Sequence, residues 1–598
     1  MQRKELALRV LSTESIMSIV TSIAAPAFAG TYYLGDFADS EFKVEMDDKG
    51  KVTVNGTVDT TDVVIRGGKE ADYAAPAPAT HATQEPEATG SADAAGESQP
   101  DPDAGFTLNE TEEDSAQNQE GEDTTKKEED PPKEPSTDNP TANPKKDVVY
   151  EYAPADPNPE QPATKLAPTT SAAPAAKTKE ATLDDAPAAK TSEATLADAP
   201  APTTPAAGSA TTPTTSVIKV INNWVGKAAK ELKIRLDNVN IKSSNDAAMT
   251  VSGNGNTKIE LDGQNVLDSS ACQYWAGLSK KGSGNLTITD KTSDKGETIK
   301  DKTDTSGSLR AEGGTYGGAA IGGSCGQATD NITIEGYATV KANTLGHDGA
   351  GIGGGSGKKG SNITIQGHAN VTANGGLSGA GIGGGSRNDS CGGDAENITI
   401  QGYSKVTAIS QNGAGIGSGS SYGDGCNGSA KKIVICDHAT VIAKNSGHTG
   451  TRNDGAAIGA AGYAGQGRDW YNNYSAEVIS GTPGATEETE DVKIIATGLY
   501  GSAIGNGAKD TNVTIQGHVN IRTASSQNSI AIGSNYGNVD VNIKDNASID
   551  TATGAGASGI GGGYLNRSPG RTVKVTIDGA GGNVKLGENS ALFGSDGA

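Results

Sequence analysis

The stretch NITIQGHANVTANGGLSGAGIGGGS, residues 362–386, decides the fold, because its parts return in the same order along the chain. Side chains on a strand alternate between two faces, so Ile363 and Ile365 share one face while Thr364 points the other way. Val371 follows six residues after Ile365, and AGIGGG then sets Ile382 among glycines. The pair recurs as Ile332 and Ile334, Ile398 and Ile400, Ile433 and Ile435, and Val513 and Ile515. At the same distance come Val340, Val406, Val441 and Ile521, with Ile549 following Ile543. The glycine-flanked isoleucines Ile321, Ile352, Ile382, Ile416, Ile458, Ile504, Ile532 and Ile560 fall into register at intervals of 28 to 46 residues. Fixed-order repetition at that period marks a solenoid. No unit can bury its apolar face alone, but coils stacked about 4.8 Å apart make one continuous narrow core. The expected fold is all-β, a parallel β-helix whose coil reads strand, turn, strand, polar loop, glycine-rich strand, loop. Roughly ten to twelve coils would span about 50–60 Å.

The same stretch raises a rival reading. Gly349-Gly351-Gly354 and Gly379-Gly381-Gly384 both have the spacing G-x-G-x-x-G. A dinucleotide fingerprint needs a strand before the glycines, a helix after them and an acidic residue about 20 positions on. Glycine, serine and asparagine follow instead, which disfavour a helix. The spacing is a by-product of the repeat.

Composition bounds the remainder. A chain of 598 residues with 83 Gly, 34% hydrophobics and 4% aromatics has no room for several conventional cores. Its net charge of -24 argues against nucleic acid, whose phosphates demand a basic face. Residues 1–29 read as a signal peptide: Arg3 and Lys4, the apolar run IMSIVTSIAAPAFA, and the small-x-small pattern Ala27-Phe28-Ala29. Residues 30–67 form a small strand-rich segment with period-2 alternation in FKVEM, KVTVNGTV and DVVIRG. Residues 68–215, rich in Ala, Pro, Thr, Glu and Asp, are expected to be a disordered acidic linker. Within it AAKTKEATLDDAP (175–187) is duplicated as AAKTSEATLADAP (188–200). Residues 216–310 are expected to form N-terminal β-helix coils, and 311–598 the glycine-rich repeats.

From about 216 to 598 the chain resembles the secreted right-handed parallel β-helix surface proteins of Gram-positive bacteria, which carry AGIGGG and NITI-like repeats. These are often described as carbohydrate-binding or adhesin-like. The resemblance implies a right-handed solenoid and a secreted, extracellular or cell-surface protein whose partners are glycans or host or cell-wall polysaccharide. It fixes no binding residue, no cofactor and no transmembrane segment. Two other functions compete: a structural cell-surface rod, and a polysaccharide lyase or hydrolase of the β-helix fold. Glycoside hydrolysis wants paired carboxylates. The motifs that pectin hydrolases share find only Gly346-His347-Asp348 and a reversed Thr329-Asp330-Asn331 here, and the Asp-Asp pairs Asp47-Asp48 and Asp184-Asp185 lie outside the repeats. No catalytic residue is therefore assigned, and no enzyme activity is expected.

Four groups of side chains remain. His368, His438 and His518 occupy the turn position that Tyr337 and Tyr403 hold in sister units, so rings stacked at a corner are expected in place of a metal site. Asn331, Asn362, Asn397 and Asn512 match a glycan acceptor sequence, but their regular recurrence predicts a hydrogen-bonded asparagine ladder. Cys325, Cys391 and Cys426 each lie six residues before the first position of a NITI-type strand, which puts Cys391 and Cys426 on adjacent coils, close enough for a disulfide, with Cys325 too far away. The longest interval between anchors, Ile458 to Ile504, holds the candidate ligand site. There Trp470, Tyr471 and Tyr474 are expected to form a stacking platform for sugars, with Arg468 and Asp469 as polar partners.

Overall fold

The computed structural model describes residues 30–37, 40–59, 62–70, 147–151, 212–226, 230–290, 307–387, 391–421, 426–447, 455–462, 474–535, 537–554, 558–563, 571–578 and 584–586. Residues 1–29, read as a signal peptide, and most of the linker lie outside that set.

Three sheets wrap one core. In the quoted unit, Gly360–Ile365 lies in sheet A, Asn370–Asn374 in sheet C and Ile382–Gly383 in sheet B. Each strand pairs in parallel with its counterparts one coil before and after: Ile363 with Ile332 and Ile398, Val371 with Val340 and Val406, Ile382 with Ile352 and Ile416. This is the parallel β-helix the repeat predicts. Ile363, Ile365, Val371 and Ile382 are fully buried. Sheet C faces the interior with valine and alanine in turn, as in Val371 and Ala373 or Val406 and Ala408, because three converging sheets leave no volume for two large side chains per strand. Among the described residues the helical structure is a single 3-10 turn, Leu34–Phe37.

The first coil comes from a segment the sequence sets apart. Thr31–Tyr33 pairs in parallel with Val64–Arg66, Glu41–Met46 with Val217–Asn222, and Asp62–Arg66 with Lys233–Asp237. Among the described residues, 30–67 thus extend sheets A and B of the same winding as 216 onward, while sheet C begins only at Asn240–Lys242. A solenoid end would otherwise expose its core, and here Leu34, Phe42, Val44 and Met46 cover it with no exposure of their own. A hairpin, Val52–Val54 with Thr57–Asp59, extends sheet B antiparallel through the Asn55-Gly56 turn, where both residues take the positive φ of a type I′ turn. At the other end Asp147–Glu151, inside the expected linker, runs antiparallel against Thr572–Asp578. Its sequence, DVVYE, is a β-forming run in a region otherwise poor in large apolar residues.

The asparagine ladder is present, with a backbone reason that periodicity alone does not show. Asn331, Asn362 and Asn397 sit in the left-handed region at φ of 55°, 51° and 52°. Asn362 Nδ2 donates to Asn331 Oδ1 at 3.0 Å, and Asn397 Nδ2 to Asn362 Oδ1 at 3.1 Å. Asparagine tolerates that conformation because its short amide bonds locally. In the next coil the place is held by Lys432 at φ 65°, so the ladder stops there and Asn512 does not extend it. Replacing Lys432 with Asn is expected to stabilise the protein by about 1 kcal/mol, by relieving a left-handed lysine and offering Asn397 another partner. Urea unfolding would show a raised midpoint at unchanged slope; an unchanged or lowered midpoint would count against this account of the ladder.

Candidate functional site

Through the coils of residues 360–445 two corners differ in how much variation they accept. The turn from sheet A to sheet C keeps one length through residues 366–369, 401–404 and 436–439. The connection from sheet B to sheet A does not: residues 384–394, 418–429 and 460–475 are long, flanked by the short 354–359 and 506–509. A solenoid tolerates insertions where they project from the coil, and that is where recognition collects.

The uniform corner carries the expected rings. Tyr337 stacks on His368 with centroids 4.8 Å apart and planes 2° from parallel, His368 on Tyr403 at 5.1 Å and 9°, and Tyr403 on His438 at 4.5 Å and 7°. Beside them Gln366 Nε2 donates to Glu335 at 2.8 Å and Gln401 Nε2 to Gln366 at 2.9 Å. The rings occupy one another's faces, so this row is structural. His518 is a correction: the coil between it and His438 turns through residues 481–491, which contain no aromatic, so it lies beyond stacking distance. Its backbone N–H donates instead to Glu490 at 3.0 Å.

The variable corner forms an open groove of about 740 Å³. Lys358 and Lys359 stand at one end and Lys509 at the other, with Asp394, Asn427 and Lys431 between them. Lys431 Nζ reaches Asp394 at 2.6 Å and Glu396 at 3.0 Å, and Lys359 Nζ reaches Glu396 at 3.0 Å. The hydrogen bond to Asp394 raises the Lys431 ammonium above its ordinary value, while Lys431 and then Lys359 hold the Glu396 carboxyl below the usual carboxylate range. These pairs therefore form over a wide pH span: Glu396 loses its contribution as pH falls through its depressed value, Lys431 as pH rises through its raised one. Both lysines are about half exposed, so each pair adds at most about 1 kcal/mol of stability and serves mainly to orient the ammonium groups.

Cys391 and Cys426 line this groove and are joined in a disulfide between adjacent coils, Cα to Cα 4.2 Å, as their spacing predicts. Cys325, two coils away, is a free thiol. Burial pushes it up, and burial with the nearby carboxylates of Asp437 and Glu490 pushes Cys436 to about 12.

The predicted ligand residues divide. Arg468, Asp469, Trp470 and Tyr471 lie outside the described residues, in a segment that leaves the described chain at Gly462 and rejoins it at Tyr474, next to Ser475 of the groove lining. Tyr474 is corrected: it is 1% exposed and belongs to the core cluster, so its ring cannot stack on a sugar. Sequence reasoning missed the groove lysines, which are spread from Lys358 to Lys509. A usable signal existed: Ala328, Lys359, Asp394, Ser429 and Lys509 all stand three residues before the first position of their sheet A repeat. Aligned by coil, they are one row.

Among the described residues no group of three or more His, Cys, Asp or Glu is placed to hold a metal ion, and no helix is long and apolar enough to cross a membrane. A family model described as "Beta helix repeat" matches residues 332–356, 363–386 and 398–420. No curated protein and no solved structure matches the chain. The repeat match and the parallel sheets together make this a parallel β-helix protein.

Mass spectrometry of the non-reduced protein is expected to recover one cross-linked peptide pair joining Cys391 to Cys426, with the buried Cys272 alkylated only after unfolding. Alkylation of Cys391 in the folded, unreduced protein would contradict the pairing.

Proposed function

We propose that the protein is a secreted or cell-surface carbohydrate-binding protein of adhesin-like character, without catalytic activity, that holds a glycan in the groove between sheets B and A. The observation that carries this reading is the groove itself, an open channel crossing several coils and lined by ammonium, carboxylate, amide and hydroxyl groups with glycine backbone between them. Sugar hydroxyls pair with such groups, and an elongated channel suits a chain of sugars better than a compact metabolite. Trp470 and Tyr471, which lie outside the described residues, are kept in this proposal as the aromatic partners on which a pyranose C–H face stacks. The disulfide between Cys391 and Cys426 and the signal-like N-terminus support an oxidising, extracellular setting.

A binding role also fits the charge state of the site better than hydrolysis does. A glycosidase needs a carboxyl kept protonated near neutral pH, whereas Glu396 is held ionised by two lysines. A rod with a purely structural role is the reading that absence of binding would leave. On a glycan array the full-length secreted protein is expected to give discrete hits, and Trp470→Ala with Tyr471→Ala to weaken them about tenfold or more while circular dichroism stays unchanged. A blank array favours the rod, and release of reducing ends or unsaturated sugars favours the enzyme.

A further inference from the structure

We infer that the glycan taken by this groove is an acidic polysaccharide, one bearing a carboxylate, sulfate or phosphate on successive units, and that Lys358, Lys359, Lys431 and Lys509 meet its charges. The inference rests on the carbohydrate-binding reading and names its ligand class.

Charge is the first argument. Residues 216–598 are close to neutral, with 32 Lys and Arg against 34 Asp and Glu, yet the groove within them is lined by four lysines against one aspartate. Two of the lysines share Asp394 and Glu396, while Lys358 and Lys509 make no ion pair with any described residue. A local excess of ammonium groups on a nearly neutral body makes this groove a basic patch that draws an anionic polymer.

Spacing is the second. Lys358 and Lys359 belong to one coil, Lys431 to the second coil after it and Lys509 to the fourth, so at about 4.8 Å per coil the charges extend over roughly 19 Å parallel to the axis. A compact anion would engage one end, whereas an extended polyanion engages the row. The floor is the third. Gly392 N–H donates to the Cys426 carbonyl at 2.7 Å, Gly419 N–H to the Gly393 carbonyl at 3.0 Å, and the disulfide ties the two coils together at the same place. Glycine backbone among the lining residues, at Gly357, Gly392 and Gly393, lets a polymer lie close, and the cross-linking limits the ordering cost of binding.

The test uses matched pairs that differ only in charge: dextran against dextran sulfate, and polygalacturonate against its methyl ester, with a phosphate-bearing glycan polymer as a third charged arm. The full-length protein is titrated with each by calorimetry. The charged members are expected to bind about tenfold or more tighter than their neutral partners, and to lose about tenfold between roughly 50 mM and 500 mM salt, as the Debye length shrinks. Lys358→Gln with Lys509→Gln is expected to remove most of that preference with circular dichroism unchanged, whereas Lys341→Gln with Lys405→Gln, exposed on sheet C, leaves it intact. Which charged arm binds best identifies the source of the anion. Equal binding of charged and neutral members, or a Lys358/Lys509 variant that binds as the unaltered protein does, overturns the ligand class while the carbohydrate-binding reading stands. Absence of binding to every member overturns both.

Discussion

In each coil of the repeats but the last, the place where a Cβ would stand on the glycine after the sheet B isoleucine is already taken by the carbonyl oxygen of the next coil's glycine. Gly322, Gly353, Gly383, Gly417, Gly459, Gly505, Gly533 and Gly561 form this row at φ between 115° and 143°, a conformation L side chains rarely adopt. Only glycine satisfies both conditions. The row keeps sheet B two or three residues wide, turns each isoleucine before it into the core, and brings the third side close enough that alanine and valine fill what remains.

The groove follows from that constraint. A side of the coil only two residues long cannot absorb insertions, and the corner between sheets A and C is held by stacked rings and amide ladders. Extra sequence leaves mostly between sheets B and A, at residues 384–394, 418–429 and 460–475 in three successive coils, and once between sheets A and C, at 481–491, where the ring row ends. The disulfide joins two of these connections and the lysines flank them. A regular scaffold thus presents one irregular, rigidly based edge, which suits recognition.

The core was legible because period-2 alternation and fixed register act locally. Ile363, Ile365, Val371 and Ile382 could be placed from one unit and their ladders from the alignment of the others. The ring row was legible for the same reason, and it failed at His518 because an inserted turn changes a corner without changing the flanking strands. What depends on distant pairing was hidden. Nothing within residues 30–67 states that Glu41–Met46 pairs with Val217–Asn222 across more than 150 intervening residues. Tyr474 resembled its loop neighbours in type, and only the path of the chain shows that its ring turns into the core. The groove lysines were scattered in sequence and converge only when the coils are stacked.

The most direct test compares two glycines by chemical denaturation. Gly383 has φ 133° and a carbonyl oxygen in its Cβ position, whereas Gly326 has φ 73° and nothing within 4 Å of where a Cβ would go. If close approach in the sheet B row holds the coils together, Gly383→Ala costs about 3 kcal/mol or more and loosens the neighbouring coils, while Gly326→Ala costs about 1 kcal/mol from backbone conformation alone. Equal, small losses from both substitutions would contradict the account.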